Sequence, residues 1–172
     1  MGRLQRIGRL RSLSATGKID ATPAESQQVR DAVRKLLMRG RWGTTLAVTL
    51  TLRQYLHHQI VTTIDASSSF RHFKNRLESY SRSKGIRVIA VCEYSEDKRL
   101  HIHAAIEVPV KANTNEFIFH IGMAWGKVLW ARHVCCIREV YSDGWQTYIL
   151  KQSTKPEFSS CILWESVHNP IT

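Results

Sequence analysis

The chain has 172 residues, a length typical of one domain, and its 43% of hydrophobic residues can fill an ordinary core, which excludes disorder throughout. No apolar run approaches the roughly 20 residues that a membrane helix needs, so we expect no membrane partner. The 25 Lys and Arg against 14 Asp and Glu leave a net charge of +11. We expect a nucleic-acid partner, because basic side chains set against phosphates release condensed counterions; a basic surface that serves only solubility is the alternative.

The first 20 residues form a basic segment of their own. Arginines are spread through it without an uninterrupted apolar core, at Arg3, Arg6, Arg9 and Arg11. We therefore expect residues 1–20 to be a flexible basic arm that contacts phosphates, with an amphipathic targeting peptide as the alternative. Residues 21–172 are expected to form a single domain.

The first half of the domain shows a helix, a strand and a second helix. Thr22–Glu25 has the pattern of a capping box, and apolar residues at helical spacing predict a helix over 23–39. Thr44–Leu52 is rich in β-branched residues and predicts a strand. A short strand within 59–64 is left open. A second helix capped at Ser67–Ser69 is expected to end before Gly85 and to carry four apolar residues, Phe70, Phe73, Leu77 and Tyr80.

The second half begins with a hairpin. Residues 86–94 and 100–108 are strand-like and flank a polar turn at 95–99. The later elements are a helix over 113–128, a strand over 134–141, a helix over 144–152 capped by Asp143, and a strand or tail over 160–167. This order predicts an α+β domain with a ferredoxin-like antiparallel sheet, helices packed on it and a central hairpin. We expect the four cysteines to be reduced core residues, at Cys92, Cys135, Cys136 and Cys161.

The segment Leu100–Glu107 carries two histidines, His101 and His103, two positions apart in a predicted strand. Alternating strand residues share a face, so both imidazoles project to one side and can chelate one cation, while Ile102 faces away. The alternative is that both are polar residues on the solvated face of an amphipathic strand.

The hairpin adds a carboxylate to this pair. A turn centred on Asp97 places Glu93 across from His101, where opposed residues have Cβ atoms about 4.5–5.5 Å apart. Glu96 is a second candidate, although an ordinary turn residue is the better interpretation of it. A mixed set of imidazole and carboxylate ligands favours Mg²⁺ or Mn²⁺. Zinc would more often recruit cysteine, and Cys92 should face away from Glu93.

A second motif, Trp145–Gln152, combines a tyrosine with a lysine. On a helix, Tyr148 and Lys151 share a face. A nearby ammonium favours the phenolate and can also hold a phosphate. The alternative is an amphipathic helix in which Tyr148 is a half-buried core residue.

Taken in order, three motifs resemble the HUH endonucleases, specifically the small rolling-circle replication initiators with one catalytic tyrosine. Thr49–Thr51 matches the TLT strand motif of that family, His101–His103 its metal motif, and Tyr148–Lys151 its YxxK motif. The resemblance covers about residues 44–155. It implies a five-stranded antiparallel sheet with the histidines at its centre, and it puts Glu93 where several such initiators have a third metal ligand.

The resemblance also implies a reaction. Tyr148 would attack single-stranded DNA at an origin hairpin or nick site, forming a 5′-phosphotyrosine and a free 3′-OH. No tyrosine adjoins Tyr148, since Tyr141 precedes it by seven residues, so we expect a one-tyrosine mechanism. We expect five residues to contact the nucleic acid: Arg41, Trp42, Thr51, Arg99 and Gln152. Trp42 is the candidate for base stacking.

Two other functions remain open. Gln152, four residues after Tyr148, keeps a one-tyrosine transposase or a mobilisation relaxase possible. A non-catalytic module for single-stranded RNA is the more distant alternative, because ferredoxin-like sheets also bind single strands. The sequence contains no Walker A pattern, so we expect unwinding by a host helicase, with a host polymerase as a further partner. We expect a cytoplasmic protein for a plasmid or phage, and a nuclear one for a eukaryotic virus.

Overall fold

The computed structural model describes residues 42–56, 58–95 and 99–140, together with residues 28, 31, 35, 145, 149 and 163. Its longer strands are β1 (Thr45–Leu52), β4 (Val88–Tyr94), β5 (Leu100–Glu107) and β6 (Ala131–Glu139). Its helices are α1 (Thr63–Tyr80) and α2 (Thr114–Gly126). A small ribbon of β2 (Tyr55–Leu56) and β3 (Gln59–Ile60) lies between β1 and α1.

The four longer strands form one antiparallel sheet in the order β4-β5-β1-β6. Along the chain, the strands of this sheet and helices α1 and α2 follow one another in the order β1-α1-β4-β5-α2-β6. This is the βαββαβ arrangement of a ferredoxin-like domain, so the fold class expected from the sequence is confirmed. Strands β1 and β5 occupy the centre of the sheet, and each is hydrogen-bonded on both sides.

The core lies between one face of the sheet and the two helices. Alternate residues of β1 and β5 point into it and are fully buried, as Leu46, Val48, Leu50, Ile102, Ala104 and Ile106 show. The helices contribute aromatic side chains, and the rings of Phe73 on α1 and Trp125 on α2 meet edge to face at 5.9 Å between centroids. Edge-to-face contact is a favoured geometry for such rings. The opposite face of the sheet therefore carries the other set of alternating residues.

Helix α1 begins earlier than the sequence indicated. Its N-cap is Thr62, and Thr62 and Asp65 form a complete capping box, so Ser67–Ser69 lie inside the helix and the expected cap there is wrong. The capping box satisfies backbone N–H groups that would otherwise lack partners in the first turn. The expected second strand is reduced to Gln59–Ile60, because the helix begins at Thr63.

The hairpin and helix α2 lie where they were expected. Strands β4 and β5 pair with Tyr94 opposite Leu100, and Asn113 caps α2 through its side-chain oxygen. The interpretation of the cysteines is partly wrong. Cys92 is a buried thiol, but Cys136 is exposed because it lies on the sheet face opposite the helices.

Several sequence predictions fall outside the described residues. Residues 28, 31 and 35 are helical, as the expected helix over 23–39 requires, but the rest of that helix and the arm over 1–20 are not described. Within the final predicted strand only Leu163 is described, and its N–H donates to the Ala90 carbonyl on β4 at 3.0 Å. Among the described residues, no helix is long and apolar enough to cross a membrane.

Candidate metal site on the sheet face opposite α1 and α2

His101 and His103 lie on the sheet face that does not contact α1 and α2, here called the His face. Between them, Ile102 is fully buried in the core on the other side, as strand alternation requires. His103 is only 8% exposed, whereas His101 is half-buried. The two rings are nearly parallel, with 6.4 Å between centroids and 19° between planes. The sequence prediction that both imidazoles share one face is confirmed.

Glu93 joins the pair from the neighbouring strand β4. Its Cα is registered opposite that of His101, as the hairpin predicted. Its Oε2, however, lies 3.2 Å from Nε2 of His103, the diagonal neighbour, with both side chains largely shielded from solvent. Diagonal neighbours across antiparallel strands are within reach of long side chains. The carboxylate therefore lies at the Nε2 side of the histidine pair.

Two threonines contact the histidines from the other side, on β1. Thr49 is registered opposite His103, and its Oγ1 lies 3.0 Å from Nδ1 of that ring. Thr51 is registered opposite His101, and its Oγ1 lies 3.4 Å from the corresponding Nδ1. Each imidazole thus has a hydroxyl at its Nδ1 atom.

The donor set of His101, His103 and Glu93 suits a divalent cation in chemistry and in facing direction. Two imidazoles that share one cation, each with its nitrogen about 2.1 Å away, have ring centres at most about 6.5 Å apart. The observed 6.4 Å is at the outer end of that range. Among the described residues, no three His, Cys, Asp or Glu side chains are already arranged as a metal-holding group. Side-chain rotation that brings the rings closer is needed to bind an ion.

Trp145 anchors a later part of the chain on the same face. Its backbone is helical, its indole N–H donates to the Ala104 carbonyl on β5 at 3.2 Å, and its ring meets that of His103 edge to face at 5.9 Å. Ile149 is also helical and is buried. The sequence analysis gave Trp145 no role of its own; its place four residues before Ile149 on the predicted helix over 144–152 was the available signal.

Part of the His face is apolar and covered. Ile89, Val91 and Ala105 are at most 3% exposed, although they lie on the side away from α1 and α2. Their burial requires a cover from elsewhere in the chain, and Trp145 lies on that side. The face therefore divides into a covered apolar part and a polar part around the histidines.

Other proposed site residues are not described or lie apart. Tyr148, Lys151, Arg41, Gln152 and the alternative carboxylate Glu96 lie outside the described residues. Arg99 is described, and it is exposed beside the hairpin turn next to Leu100. Their proposed roles stay predictions.

Trp42 lies at the far end of the sheet from the histidines. The guanidinium of Arg87 lies 4.2 Å from the centroid of its ring. The adjacent Gly43 N–H donates to a carboxylate oxygen of Glu107, and that glutamate is four residues, or about 13 Å of strand, beyond His103. The structure thus does not bring Trp42 together with the histidine pair, and base stacking there stays a prediction.

Comparison with known protein families identifies one family that matches most of the chain. The model of the family described as replication-associated protein ORF2/G2P matches residues 45–157. No curated protein and no solved structure matches the chain. The matched stretch covers more than half of the 172 residues and includes both threonines, Glu93, both histidines and Trp145. The chain belongs to the replication-associated protein ORF2/G2P family.

Proposed function

We propose that this chain is a metal-dependent DNA endonuclease and strand transferase of the HUH type that initiates rolling-circle replication by nicking single-stranded DNA. The observation that carries the proposal is the grouping on one sheet face of His101, His103 and Glu93, with Glu93 Oε2 at 3.2 Å from His103 Nε2. Membership of a replication-associated family and the net charge of +11 support a nucleic-acid substrate.

In this proposal His101, His103 and Glu93 hold a Mg²⁺ or Mn²⁺ ion. The ion would polarise the scissile phosphate and stabilise charge on its oxygens. The protein's own contribution is a pair of imidazoles on the central strand β5, which has a hydrogen-bonded neighbour on each side, and a carboxylate from the adjacent strand β4. Such support is what keeps a site preorganised.

Tyr148 is the proposed nucleophile, and chain connectivity supports it. Trp145 touches His103 and is bonded to Ala104. Three residues of chain span at most about 11 Å, so Tyr148 is tethered near the histidine that contacts Glu93. A nucleophile must be held close to the reacting phosphate, and the short distance along the chain from Trp145 supports Tyr148 in that role.

The proposed reaction conserves the number of phosphate ester bonds. The Tyr148 phenol oxygen attacks phosphorus, the bond from phosphorus to the 3′ oxygen breaks, and a 5′-phosphotyrosine and a 3′-OH result. The phenol proton leaves as the bond forms, and the departing 3′ oxygen gains a proton. Lys151 favours the phenolate by its positive charge. Attack by a 3′-OH on the phosphotyrosine reverses the step and joins strands.

The RNA-binding alternative is disfavoured by the residues on the His face. A stacking module needs aromatic rings exposed on its sheet. Among the described strand residues, this face carries no Phe, Tyr or Trp; it carries histidine, threonine, glutamate, small or aliphatic residues, and Arg138 and Cys136 of β6. The one described indole there, that of Trp145, already contacts His103 and Ala104. The family match favours replication initiation over transposition or mobilisation.

The proposal is tested with labelled single-stranded origin DNA and Mn²⁺, scored for a covalent protein–DNA adduct on a denaturing gel. Wild type should form the adduct, and Tyr148→Phe should abolish it, because the substitution removes one oxygen and keeps the ring. Tyr141→Phe is the matched control and should behave as wild type. Peptide mapping should place the nucleotide mass on Tyr148.

A nucleotide mass on Tyr141, or an adduct with Tyr148→Phe, would refute the assignment of the nucleophile. Failure of wild type to form an adduct with any single-stranded substrate would refute the enzyme and return the RNA-binding module to first place. Lys151→Ala should leave slow cleavage, since a positioning charge assists the attack without being the attacking atom.

A further inference from the structure

A row of side chains crosses three strands through the histidine pair. Thr49 on β1 lies 3.0 Å from Nδ1 of His103, and the Nε2 of that ring lies 3.2 Å from Glu93 on β4. Thr51 and His101 repeat the first half of the row at 3.4 Å. The two histidine planes differ by only 19°, so both rings take nearly the same orientation across the sheet.

This orientation has a chemical consequence. The two nitrogens of an imidazole point in roughly opposite directions, so a ring whose Nδ1 faces β1 directs its Nε2 toward β4. Glu93 lies on β4, and its carboxylate meets Nε2 of His103 there. The Thr49 hydroxyl and the Glu93 carboxylate thus lie at opposite nitrogens of the His103 ring.

A hydroxyl is suited to this position because it can both donate and accept a hydrogen bond. When Nε2 binds a cation, the ring proton must reside on Nδ1, and the threonine oxygen can accept it. When the proton resides on Nε2, the same hydroxyl can donate to Nδ1. The ring is held in both cases. Ligating histidines generally need such a partner at the second nitrogen.

We propose that Thr49 and Thr51 are positioning residues, which orient His103 and His101 for metal binding rather than contacting DNA. This rests on the proposed function, since it takes the histidine pair as the ligand set. It assigns Thr51 a different role from the DNA contact expected from the sequence. We expect Thr49 to affect metal binding more than Thr51 does, because the Thr49 contact is shorter and His103 is only 8% exposed. A hydrogen bond at 3.4 Å is weak.

The test replaces each hydroxyl by a methyl group of similar size. Thr49→Val and Thr51→Val are compared with Thr45→Val, which lies on the same strand and face but donates to the Gly43 carbonyl. Thr49→Ser keeps the hydroxyl. The readouts are Mn²⁺ affinity, measured by electron paramagnetic resonance, and ¹H–¹⁵N spectra of the histidine rings with saturating Mg²⁺. Thermal melting of each variant checks folding.

We expect Thr49→Val to weaken Mn²⁺ binding by about 10–100-fold, the usual effect of removing a partner of a ligating histidine, and Thr51→Val to weaken it less. The protected Nδ1–H signal of His103 should be absent from the spectrum of Thr49→Val. It should be present in the spectra of Thr49→Ser, Thr51→Val and Thr45→Val. Thr45→Val should bind as wild type does.

Two results would overturn the positioning role while leaving the nuclease standing. One is wild-type Mn²⁺ affinity in Thr49→Val. The other is an equal loss in Thr45→Val, which would indicate general strand packing. If wild-type protein binds no Mn²⁺, both the positioning role and the metal site of the proposed function fail, and the adduct assay with added Mn²⁺ then decides the function separately.

Discussion

Replacing either histidine by alanine should abolish nicking, but only one replacement should strongly destabilise the fold. His103 is 8% exposed and contacts both Thr49 and Glu93, whereas His101 is half-buried with a 3.4 Å contact to Thr51. His103→Ala removes the contacts to Thr49 and Glu93 from a largely shielded site, and the loss of a hydrogen-bond partner at such a site costs about 1–3 kcal/mol. The cost is reduced because the Glu93 side chain is 14% exposed, so water can reach its carboxylate.

We therefore expect the free energy of unfolding to fall by about 2–3 kcal/mol in His103→Ala and by less than about 1 kcal/mol in His101→Ala. For a domain of this size, each kcal/mol lowers the melting temperature by about 2–4 °C, so His103→Ala should melt about 5–10 °C below wild type. Urea unfolding gives the free energies, and the adduct assay with Mn²⁺ is run well below the lower melting temperature.

His120→Ala is the matched control. His120 lies on α2, away from the sheet, and approaches Glu116 at 3.9 Å. It should keep full nicking activity and near wild-type stability. Equal destabilisation by His101→Ala and His103→Ala would refute the argument from burial. Metal-dependent nicking at the wild-type rate in His103→Ala would refute the metal site itself.

Three further predictions concern DNA, the carboxylate and the anchor. Affinity for single-stranded DNA should fall with salt at a log–log slope of about −0.7 per phosphate contacted, and deletion of residues 1–20 should make the slope shallower; an affinity independent of salt would contradict a phosphate-dominated interface. Glu93→Gln should weaken Mn²⁺ binding and leave a residual nicking rate that rises with added Mn²⁺, and a rate unaffected by the metal concentration would exclude Glu93 as a ligand. Trp145→Phe removes the indole donor to Ala104, so it should cost about 1 kcal/mol and slow nicking at unchanged Mn²⁺ affinity. A parallel loss of Mn²⁺ affinity in that variant would show that Trp145 supports the ligands instead of the nucleophile segment.

Local periodicity was sufficient to predict much of the sheet. The two-residue period of a strand predicted that His101 and His103 share one face. The number of residues in the hairpin turn predicted that Glu93 is registered opposite His101. Helix α1 was placed too late because its capping box, Thr62–Asp65, precedes Phe70, the first large apolar residue that the helix buries, by several positions. The apolar pattern alone does not mark that start.

Contacts between distant segments could not be predicted in this way. Thr49 and His103 are 54 residues apart, and their pairing depends on which strand lies next to β5. The contact of Glu93 with His103 instead of His101 depends on side-chain rotamers across the diagonal. Cys136 was assigned to the core because its segment is apolar, and the register with Thr49 puts it on the other face.

The sheet order explains why these histidines, on this strand, can form a site. Strand β5 has β4 on one side and β1 on the other, so the His103 ring meets Glu93 of β4 at Nε2 and Thr49 of β1 at Nδ1. A histidine on the edge strand β6 would have a hydrogen-bonded neighbour on one side only among the described strands. The buried face of the same two central strands is wholly apolar, and its packing against α1 and α2 stabilises the strands. Because that packing supplies much of the stability, the polar part of the other face can hold groups whose orientation serves chemistry.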